Sequence, residues 1–456
     1  MFTMLVMGLI MDEKNFNFIK KFYNDSKIRD LLINQSKNYN YCIGNGQILI
    51  ERGWTLPVKE VEICKIEELI DDGLDIFFPI RCCNDEYLYI IWDIDYFNKE
   101  NPQFIFNREN QKQIFEWMLP TFKIIEKILK TFDIKYVVDI TMSGIHMWSK
   151  ISTKSEAFHK LSDEGFILPS LEKKYSQIMS DDRKRFYPVS CELGRAYNAV
   201  GKVLEFFTHS LIKKNRKLNK YKIPVTVSDT PQYGKTYPFS GISSDLTQYA
   251  HPIYMRCIRA ICSVHQKSLI GGHFEMGPSV DIIKTKKISY LDAIEIMWDV
   301  DKSIEYFRKN FGTVRLSKKI EIPDSSNGWL QATNAYLKST LRKKHKQWEK
   351  TPVSSTIPVF DNHDVKKLFD NSVANPALLV PNNLQFIADY FTKNGGISAT
   401  KKIFSVIGDY YNNKNLGWYD NFRFTGLNWD KYDAQTAADF WGRVYWSLNA
   451  SKLGRD

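Results

Sequence analysis

The 456-residue chain has few cysteines, and they lack the spacing that metal and redox sites use. The count is seven, an odd number, and no Cys-x-x-Cys pair occurs. A disulfide framework and a structural zinc site are therefore not expected, and a reducing cytoplasm fits this usage. No cysteine follows Cys262, so the C-terminal third cannot hold a Cys-ligated iron–sulfur cluster. We predict neither zinc nor an iron–sulfur cluster.

Long apolar runs are also missing. The apolar part of the segment Met1–Met11 is too short to span a bilayer, and no later segment approaches the length of a transmembrane helix. No internal repeat or low-complexity tract is evident. We expect a soluble, intracellular protein without a membrane partner.

Acidic residues are outnumbered, with 52 Asp and Glu against 63 Lys and Arg, which gives a net charge of +11. This excess favours a polyanionic partner without identifying it. Two basic clusters are candidate nucleic-acid contacts, although each could be a solvated helix face and the first could be a mobile loop. The first cluster contains Lys213, Lys214, Arg216 and Lys217, and the second contains Arg342, Lys343, Lys344 and Lys346.

Alternating strand and helix patterns in the first 150 residues predict an α/β or α+β fold. The composition of 351–358 is typical of a linker. We therefore divide the chain into a main domain (1–345), a linker (346–360) and a mostly helical domain (361–456). The main elements predicted are helices in 12–40, 109–132 and 290–311, and strands in 47–50, 75–95 and 136–140; residues 151–240 give no clear pattern.

The segment Tyr89–Asp95 carries the most informative pattern. Its large apolar residues predict a buried strand that ends in Asp93 and Asp95. Residues two apart on a strand face the same side, so the two carboxylates point together. They repel each other unless a cation lies between them, and hard oxygen ligands suit Mg²⁺ or Mn²⁺. The alternative is a polar pair that closes a strand and opens a turn.

A second segment, Ser143-Gly144-Ile145-His146, follows a predicted strand. A small Ser-Gly turn lets the backbone approach a phosphate, and His146 can donate to a phosphate oxygen. The alternative for His146 is a histidine satisfied within the core.

A third segment combines Arg259 with Ser263, His265 and Lys267. If this segment is extended, alternation places the last three side chains on one face. All four residues donate hydrogen bonds, so the segment suits an anion such as a triphosphate. The alternative is a solvent-facing strand.

In this order, the three segments resemble the archaeo-eukaryotic primase superfamily, and most closely the small, catalytic subunit of replicative primase. The first motif of that family, an apolar strand ending in Asp-x-Asp, matches Ile91–Asp95. The second, Ser-Gly followed by His and an apolar strand, matches Ser143–Trp148. The third, Arg-apolar-apolar-Arg ending in Ser-apolar-His-x-Lys, matches Arg256–Lys267. The resemblance covers roughly residues 40–310 and implies a primase catalytic core of mixed sheets flanked by helices.

The resemblance also implies a third metal carboxylate before the last His of the motif. Asp245 is our choice, and Asp229, which follows an apolar strand pattern, is the alternative. Two Mg²⁺ or Mn²⁺ ions would then be held by Asp93, Asp95 and Asp245. The triphosphate of the incoming nucleotide would be bound by Ser143, Gly144, His146, Arg256, Arg259, Ser263, His265 and Lys267.

Two features depart from the family. The second motif often has arginines and an extra glycine between Ser-Gly and His, whereas Gly144 is separated from His146 by one residue here. Some triphosphate contacts would then come from elsewhere, or nucleotide binding would be weaker. Many replicative members also carry a zinc-binding cysteine cluster after Asp-x-Asp, but no cysteine lies between Cys83 and Cys191.

Residues 386–411 and 432–446 faintly resemble the helical C-terminal domain of the primase large subunit. If so, the chain is a small, single-chain fusion of the small and large primase subunits. Arg423 and Arg443 would then be among its nucleic-acid contacts. The alternative is an unrelated helical accessory domain.

The resemblance implies a DNA-dependent primase-polymerase that acts on single-stranded DNA and nucleoside triphosphates. Other replication proteins are possible partners, and the expected location is the nucleoid in the cytoplasm of a prokaryotic cell. Two alternatives remain. One is a metal-dependent nuclease or phosphoesterase, which the same carboxylates would serve. The other is a non-catalytic nucleic-acid-binding replication protein.

Overall fold

The computed structural model describes residues 13–46, 58–98, 101–167, 190–227, 240–246, 249, 257–270, 277–311 and 320–349. These residues form a mixed α+β fold, as the sequence predicted. Their helices are α1 (Glu13–Tyr23), α2 (Ser26–Ser36), α3 (Ile66–Asp71), α4 (Arg108–Thr131), α5 (Glu156–Glu164), α6 (Cys191–Leu218), α7 (Lys267–Ile270), α8 (Tyr290–Met297), α9 (Val300–Phe311), α10 (Ser326–Leu337) and α11 (Thr340–Glu349), with short 3-10 helices at Ile63–Lys65 and Pro102–Phe106.

The described strands form three sheets. The largest has six strands in the order β12-β5-β6-β4-β8-β7, and all its pairs are antiparallel except β7 with β8. A four-stranded sheet has the order β2-β1-β3-β9, and β10 pairs with β11. The strands are β1 (Tyr41–Asn45), β2 (Val58–Glu62), β3 (Asp75–Pro79), β4 (Tyr87–Asn98), β5 (Val137–Ile140), β6 (Gly144–Ser152), β7 (Val225–Val227), β8 (Ser240–Asp245), β9 (Cys257–Arg259), β10 (Val264–His265), β11 (Ser279–Val280) and β12 (Ile282–Lys284).

Several elements predicted from periodicity are confirmed. Helices α1, α2 and α4 and strands β3, β4 and β5 occupy the expected ranges, and the single helical range 290–311 is divided into α8 and α9. The described part of the range 151–240, which gave no pattern, contains the end of β6, helices α5 and α6, strand β7 and the first residue of β8. The strand predicted at 47–50 lies outside the described residues.

Strand β4 lies within the six-stranded sheet, and its two faces meet different surroundings. On one face, Trp92 Nε1 donates a 2.8 Å hydrogen bond to Ser244 Oγ, which lies 2.7 Å from Thr208 Oγ1 on α6. Helix α6 therefore covers that face. Because side chains alternate along a strand, Asp93 and Asp95 lie on the opposite face.

The opposite face of β4 looks towards the four-stranded sheet. Tyr39 stacks on Phe78 of β3 with ring centroids 4.6 Å apart, and its ring lies 6.2 Å from that of Tyr89 on β4. Farther along, the Tyr23 hydroxyl donates to the Leu74 carbonyl at 2.8 Å. The contacts of Tyr39 therefore place the four-stranded sheet next to the face of β4 that carries Tyr89, Asp93 and Asp95.

Helices α10 and α11 are fixed to the core by buried polar contacts. Trp329 Nε1 donates to Ser149 Oγ at 2.9 Å. The fully buried His345 lies 3.1 Å from a Glu205 carboxylate oxygen and 2.7 Å from the Tyr336 hydroxyl. Helix α11 ends at Glu349, within the range 346–360 expected to be a linker. The predicted helical domain 361–456 lies outside the described residues.

All seven cysteines are free thiols in the structure. Within the described part of the chain, no helix combines the length and apolar composition needed to cross a bilayer.

Candidate active site

The antiparallel register of β4 with its two neighbours builds a row of ionisable side chains. Asp93 lies directly opposite Asp245 of β8 on one side and His146 of β6 on the other. Residues directly opposite in an antiparallel pair project from the same face, and Asp95, two residues along, shares that face. The structure thus brings Asp93, Asp95 and Asp245 to one surface of the sheet.

The electrostatics of Asp93 depend on this crowding. Its side chain is 14% exposed, and burial is the largest of the causes that raise its carboxyl pKa well above the ordinary value. The charges of Asp95 and Asp245 raise the pKa further, while His146 and Lys267 lower it. Because the charges of Asp95 and Asp245 both act on Asp93, ionisation of all three carboxylates is costly unless a cation compensates.

The donor set fits a hard divalent cation. Asp93 Oδ1 is buried and has no hydrogen-bond partner among the described residues. An unsatisfied carboxylate oxygen in an acidic cluster is a natural ligand for Mg²⁺ or Mn²⁺, which bind oxygen. Within the described ranges, however, no group of three or more His, Cys, Asp or Glu residues already has a metal-binding arrangement. The carboxylates share a face without forming a finished coordination sphere.

Ser143 and Gly144 both contact Asp95. The Ser143 hydroxyl donates a 2.9 Å hydrogen bond to Asp95 Oδ1. Gly144 lies opposite Asp95, and a Cβ on Gly144 would come within 2.8 Å of the same oxygen and 1.8 Å of the Ile94 carbonyl oxygen. Glycine is needed here because two groups of β4 occupy the space of a side chain. The observed contacts position a carboxylate, whereas the sequence suggested a turn that binds phosphate.

His146 lies between two carboxylates. Its Nε2 is 3.7 Å from Asp93 Oδ1, and its Nδ1 is 3.3 Å from Asp139 Oδ2 on β5, which is its cross-strand neighbour. Burial lowers the pKa of His146, but Asp93 and then Asp139 more than offset this and raise the pKa to about 9. The ring therefore carries a positive charge at neutral pH and partly neutralises the row.

Arg259 is directed into the protein interior. Its guanidinium pairs with the buried carboxylate of Asp75, and its Nε lies 3.4 Å from Asp281 Oδ2. The guanidinium also lies 4.7 Å above the Phe77 ring. These contacts make Arg259 part of a buried ionic network, whereas the sequence suggested an open triphosphate site.

The segment around Ser263 is less extended than the alternating pattern requires. Strand β10 contains two residues, Cys262 before it has a φ of +68°, and Lys267 already begins α7. The Ser263 hydroxyl accepts from the Ile76 backbone N–H at 2.8 Å and lies 3.2 Å from the Tyr23 hydroxyl. Ser263 is therefore fully buried between elements. The prediction of one continuous extended donor face is wrong because the chain turns on both sides of β10.

His265 and Lys267 differ in exposure. His265 is buried, its Nδ1 lies 3.1 Å from Asp281 Oδ1, and burial is the main reason that its pKa lies well below the ordinary value. Lys267 is exposed, and its charge acts on both Asp93 and His265. Lys267 is thus a solvent-accessible cation near the carboxylate row.

The basic residues 213–217 lie on the last turns of α6, so the mobile loop considered from the sequence is wrong. The turns are fixed by Asn215, which is buried, accepts from Thr121 Oγ1 at 2.7 Å and donates to the Ile223 carbonyl at 2.8 Å. Exposed positions in this cluster are Lys213, Arg216 and Lys217, and Lys214 is half-buried. Lys343 is exposed on α11, and Lys344 belongs to the same helix.

Several predicted residues lie outside the described residues: Arg256, the alternative carboxylate Asp229, Arg423 and Arg443. Conversely, the sequence interpretation assigned no role to Asp139, Asp281 or Asp75, which are fully buried beside the predicted donors. A signal was present, because Asp139 and Asp281 each interrupt an apolar run. A carboxylate in such a position is costly to bury without a cationic partner.

Comparisons with known proteins give no further assignment: no family model, no curated protein and no solved structure matches this chain.

Proposed function

We propose that this protein is a metal-dependent nucleotidyltransferase, and specifically a DNA-dependent primase-polymerase. The observation that carries the proposal is the register that sets Asp245 and His146 on either side of Asp93, with Asp95 on the same face. Paired carboxylates that hold two divalent cations are a recurrent arrangement for in-line phosphoryl transfer. The three-motif resemblance supports the choice of nucleotide polymerisation among the reactions of this class.

Asp93, Asp95 and Asp245 would hold the cations, which would lower the pKa of an attacking hydroxyl and offset charge on the leaving pyrophosphate. Ser143 holds Asp95 by its hydrogen bond, and Gly144 leaves space for that carboxylate. Lys267 would contact the triphosphate from the solvent side as an exposed cation. His146 would help to balance the charge of the carboxylates.

In this proposal, Arg259, Ser263 and His265 are positioning residues. Their contacts with Asp75, Ile76 and Asp281 hold the segment that leads into Lys267. The single-stranded DNA template would lie along basic surface that includes the end of α6, with an affinity that falls as salt rises. Nucleoside triphosphates are the second substrate. Association with other replication proteins at a prokaryotic nucleoid belongs to the same proposal.

A metal-dependent nuclease or phosphoesterase is the second candidate. It is favoured by the interior contacts of Arg259 and Ser263, which remove two donors from the expected triphosphate site. Hydrolysis needs fewer phosphate contacts than polymerisation, because water is the nucleophile. Asp93 and Asp95 would serve either reaction.

The deciding experiment incubates the full chain with labelled single-stranded DNA and Mg²⁺ or Mn²⁺, with and without nucleotides. Ribo- and deoxynucleotides are compared on templates with and without a primer. New or extended products that depend on nucleotides support polymerisation. Shortened strands, formed equally without nucleotides, support the nuclease and contradict the primase proposal.

The matched variants are Asp93→Ala with Asp95→Ala, and Asp163→Ala as a control at an exposed position on α5. The double variant should lose incorporation while keeping the far-UV circular dichroism spectrum and template binding of the wild type. Incorporation retained by the double variant would overturn the assignment. Binding of single-stranded DNA without any metal-dependent chemistry in the wild type would favour the non-catalytic alternative.

A further inference from the structure

Two exposed apolar side chains lie together at the turn that follows α6. Among the residues that the structure describes, three large apolar residues are exposed: Leu218 (64%), Tyr221 (38%) and Phe16 (39%). Leu218 is the last residue of α6, and Tyr221 follows three residues later, before β7 begins. Single exposed apolar side chains are ordinary on soluble proteins, so the informative feature is that two of them share one turn.

The turn is fixed by buried amide side chains. Asn219 is fully buried, its Oδ1 accepts from the Tyr221 backbone N–H at 2.9 Å, and its Nδ2 donates to Thr121 Oγ1 on α4 at 3.2 Å. Asn215, on the last turns of α6, donates to the Ile223 carbonyl at 2.8 Å. A partner therefore meets a preformed surface, and binding does not have to include the entropic cost of ordering a loop.

Positive charge surrounds the turn. Six of the ten residues 213–222 are Lys or Arg, and no Asp or Glu occurs in the sequence between Glu205 and Asp229. Five of these six cations are exposed, and the other, Lys214, is half-buried. Lys220 Nζ lies 4.7 Å from the centroid of the Tyr221 ring, and Tyr221 remains exposed with this lysine in place. Cations beside an accessible ring suit a polyanion that also carries flat apolar groups.

Single-stranded nucleic acid is the partner that this chemistry fits best. Its phosphates match the cations, and its unpaired bases are free to stack on an exposed ring, whereas the bases of a duplex are already paired and stacked. An anionic membrane would need a broader apolar face than two side chains offer. An acidic protein would need a larger interface than one turn supplies.

The turn leads directly into the sheet that carries the carboxylate row. Val225 of β7 pairs with Ile242 of β8, three residues from Asp245. At ordinary strand spacings, Val225 lies about 11 Å from Asp245, and Tyr221 lies at most about 14 Å farther, because four residues cannot span more. A single strand stacked at about 3.4 Å per nucleotide would cover this distance with about seven nucleotides, which is within the site sizes of single-strand-binding folds.

We propose that the turn 213–222 is a binding site for single-stranded nucleic acid, with Tyr221 as its stacking platform. An unpaired base stacks on the Tyr221 ring beside Leu218, and the flanking phosphates contact the surrounding lysines and arginine. This inference rests on the proposed function only for the identification of the strand as a template. Binding at the turn needs neither metal nor nucleotide, so its test can be separated from the test of catalysis.

The experiment measures the fluorescence anisotropy of labelled oligonucleotides with the full chain in EDTA. The ligands are a single strand, an abasic strand and a duplex, all of the same length. Tyr221→Ala removes the ring, and Tyr221→Phe keeps it. Phe16→Ala is the matched control: Phe16 is equally exposed and has Lys20 Nζ 5.6 Å from its ring centroid, but Glu13 adds a negative charge to the same helix.

We expect Tyr221→Ala to bind the single strand roughly 5- to 30-fold more weakly, the order expected for loss of stacking with one base. Its binding of the abasic strand and of the duplex should be unchanged. Tyr221→Phe and Phe16→Ala should bind all three ligands as the wild type does. Unweakened binding of the single strand by Tyr221→Ala, or an equal loss with the abasic strand, would overturn the site.

The same variants test the other partners. Sedimentation with vesicles of phosphatidylserine and phosphatidylcholine is the probe for a membrane, and labelled polyglutamate is the probe for an acidic protein. Neither should bind in a way that depends on Tyr221. Binding of either probe as tight as that of the single strand, and lost in Tyr221→Ala, would overturn the proposal in favour of that partner.

The synthesis assay separates the two proposals. Base-dependent strand binding that Tyr221→Ala loses, in a protein that polymerises nothing, would keep the turn as a binding site and remove the proposed function. Polymerisation by the wild type and by Tyr221→Ala with the same KM for the template would keep the function and remove the turn as the template site.

Discussion

Ser143 holds the carboxylate of Asp95 by a 2.9 Å hydrogen bond across the β4–β6 pair. The serine lies just before β6, so the contact couples the start of one strand to the middle of another. A hydrogen bond to one carboxylate oxygen restricts the rotation of the group and directs the second oxygen. Such support for a metal ligand affects function without any contact to substrate.

Ser143→Ala should weaken the affinity for Mn²⁺ roughly 10-fold, because the loss of a hydrogen bond to a metal ligand has effects of this order. The measurement is the Mn²⁺ concentration that gives half-maximal incorporation, or direct Mn²⁺ titration by calorimetry. Ser152→Ala, at the other end of β6, is the matched control and should behave as wild type. An unchanged Mn²⁺ affinity in Ser143→Ala would show that Asp95 needs no such support.

Gly144→Ala should both destabilise the fold and impair the site, because the new Cβ would meet the Ile94 carbonyl oxygen at 1.8 Å. The strands must separate locally, and overpacking of this kind costs about 1–3 kcal/mol or more. Gly46→Ala is the milder comparison and should cost less, since its nearest neighbours are side-chain atoms of Gln266 and Leu74 at 3.0 Å or more, with no backbone atom among them. Thermal unfolding and incorporation are measured together. A stable and fully active Gly144→Ala would contradict the observed register.

Lys267→Met should raise the KM for the nucleotide by roughly 10- to 100-fold, which is the order expected for one charge-assisted hydrogen bond to a phosphate. The charge of Lys267 also lowers the pKa of Asp93, so metal affinity is measured separately. Lys286→Met, at an exposed position elsewhere in the domain, should leave the KM unchanged. Steady-state kinetics at saturating metal decide the result; equal KM values for the two variants would exclude Lys267 from the nucleotide site.

Replacing Lys213, Arg216 and Lys217 by Gln should weaken binding of single-stranded DNA and flatten its dependence on salt. Each lost phosphate contact lowers the slope of log affinity against log salt by roughly 0.7 for a single strand. Fluorescence anisotropy across a salt series measures the slope. A triple replacement of Lys123, Lys127 and Lys130, exposed on α4, provides a control of equal charge. Identical slopes in the two triple variants would place the template elsewhere.

The stability contributed by Glu205 should depend on pH. Burial raises its pKa, but His345 and His209 oppose this and lower the pKa from 4.5 to about 2. A carboxyl group whose pKa is lower in the folded than in the unfolded state stabilises the folded state. The full contribution is present above pH 4.5 and is lost as the pH falls towards 2. Glu205→Gln should therefore lower the free energy of unfolding by about 3 kcal/mol at pH 7, and by less near pH 3.

Denaturant unfolding at both pH values gives these differences. Glu192→Gln removes a carboxylate that is half exposed and lies 3.4 Å from His159, so it is a matched surface control with an expected effect of about 0–1 kcal/mol. A pH-independent difference between wild type and Glu205→Gln would show that burial of the side chain, and not its charge, stabilises the fold.

Local patterns were sufficient for much of the fold. Strand β4 was predictable because its apolar run is long and ends in two carboxylates, and α4 because its apolar residues recur at helical spacing. The stretch from 151 to 240 gave no pattern, although it contains α6. That helix is buried along most of its length, including Asn198, Lys202 and Glu205, so the usual contrast between an apolar and a polar face is weak.

The candidate site likewise combines features that are local in the sequence with features that depend on tertiary packing. The sequence by itself determined that Asp93 and Asp95 share a face, because alternation along a strand is a local property. It also indicated that His146 and Lys267 belong to segments rich in donors. Only the tertiary structure decided that Asp245 lies beside Asp93, because pairing between distant strands depends on how the whole sheet assembles. The same packing placed Arg259 and Ser263 in the interior. Arg259 pairs there with the buried Asp75 carboxylate, and the Ser263 hydroxyl accepts from the Ile76 backbone N–H. Both buried groups would be costly without a partner.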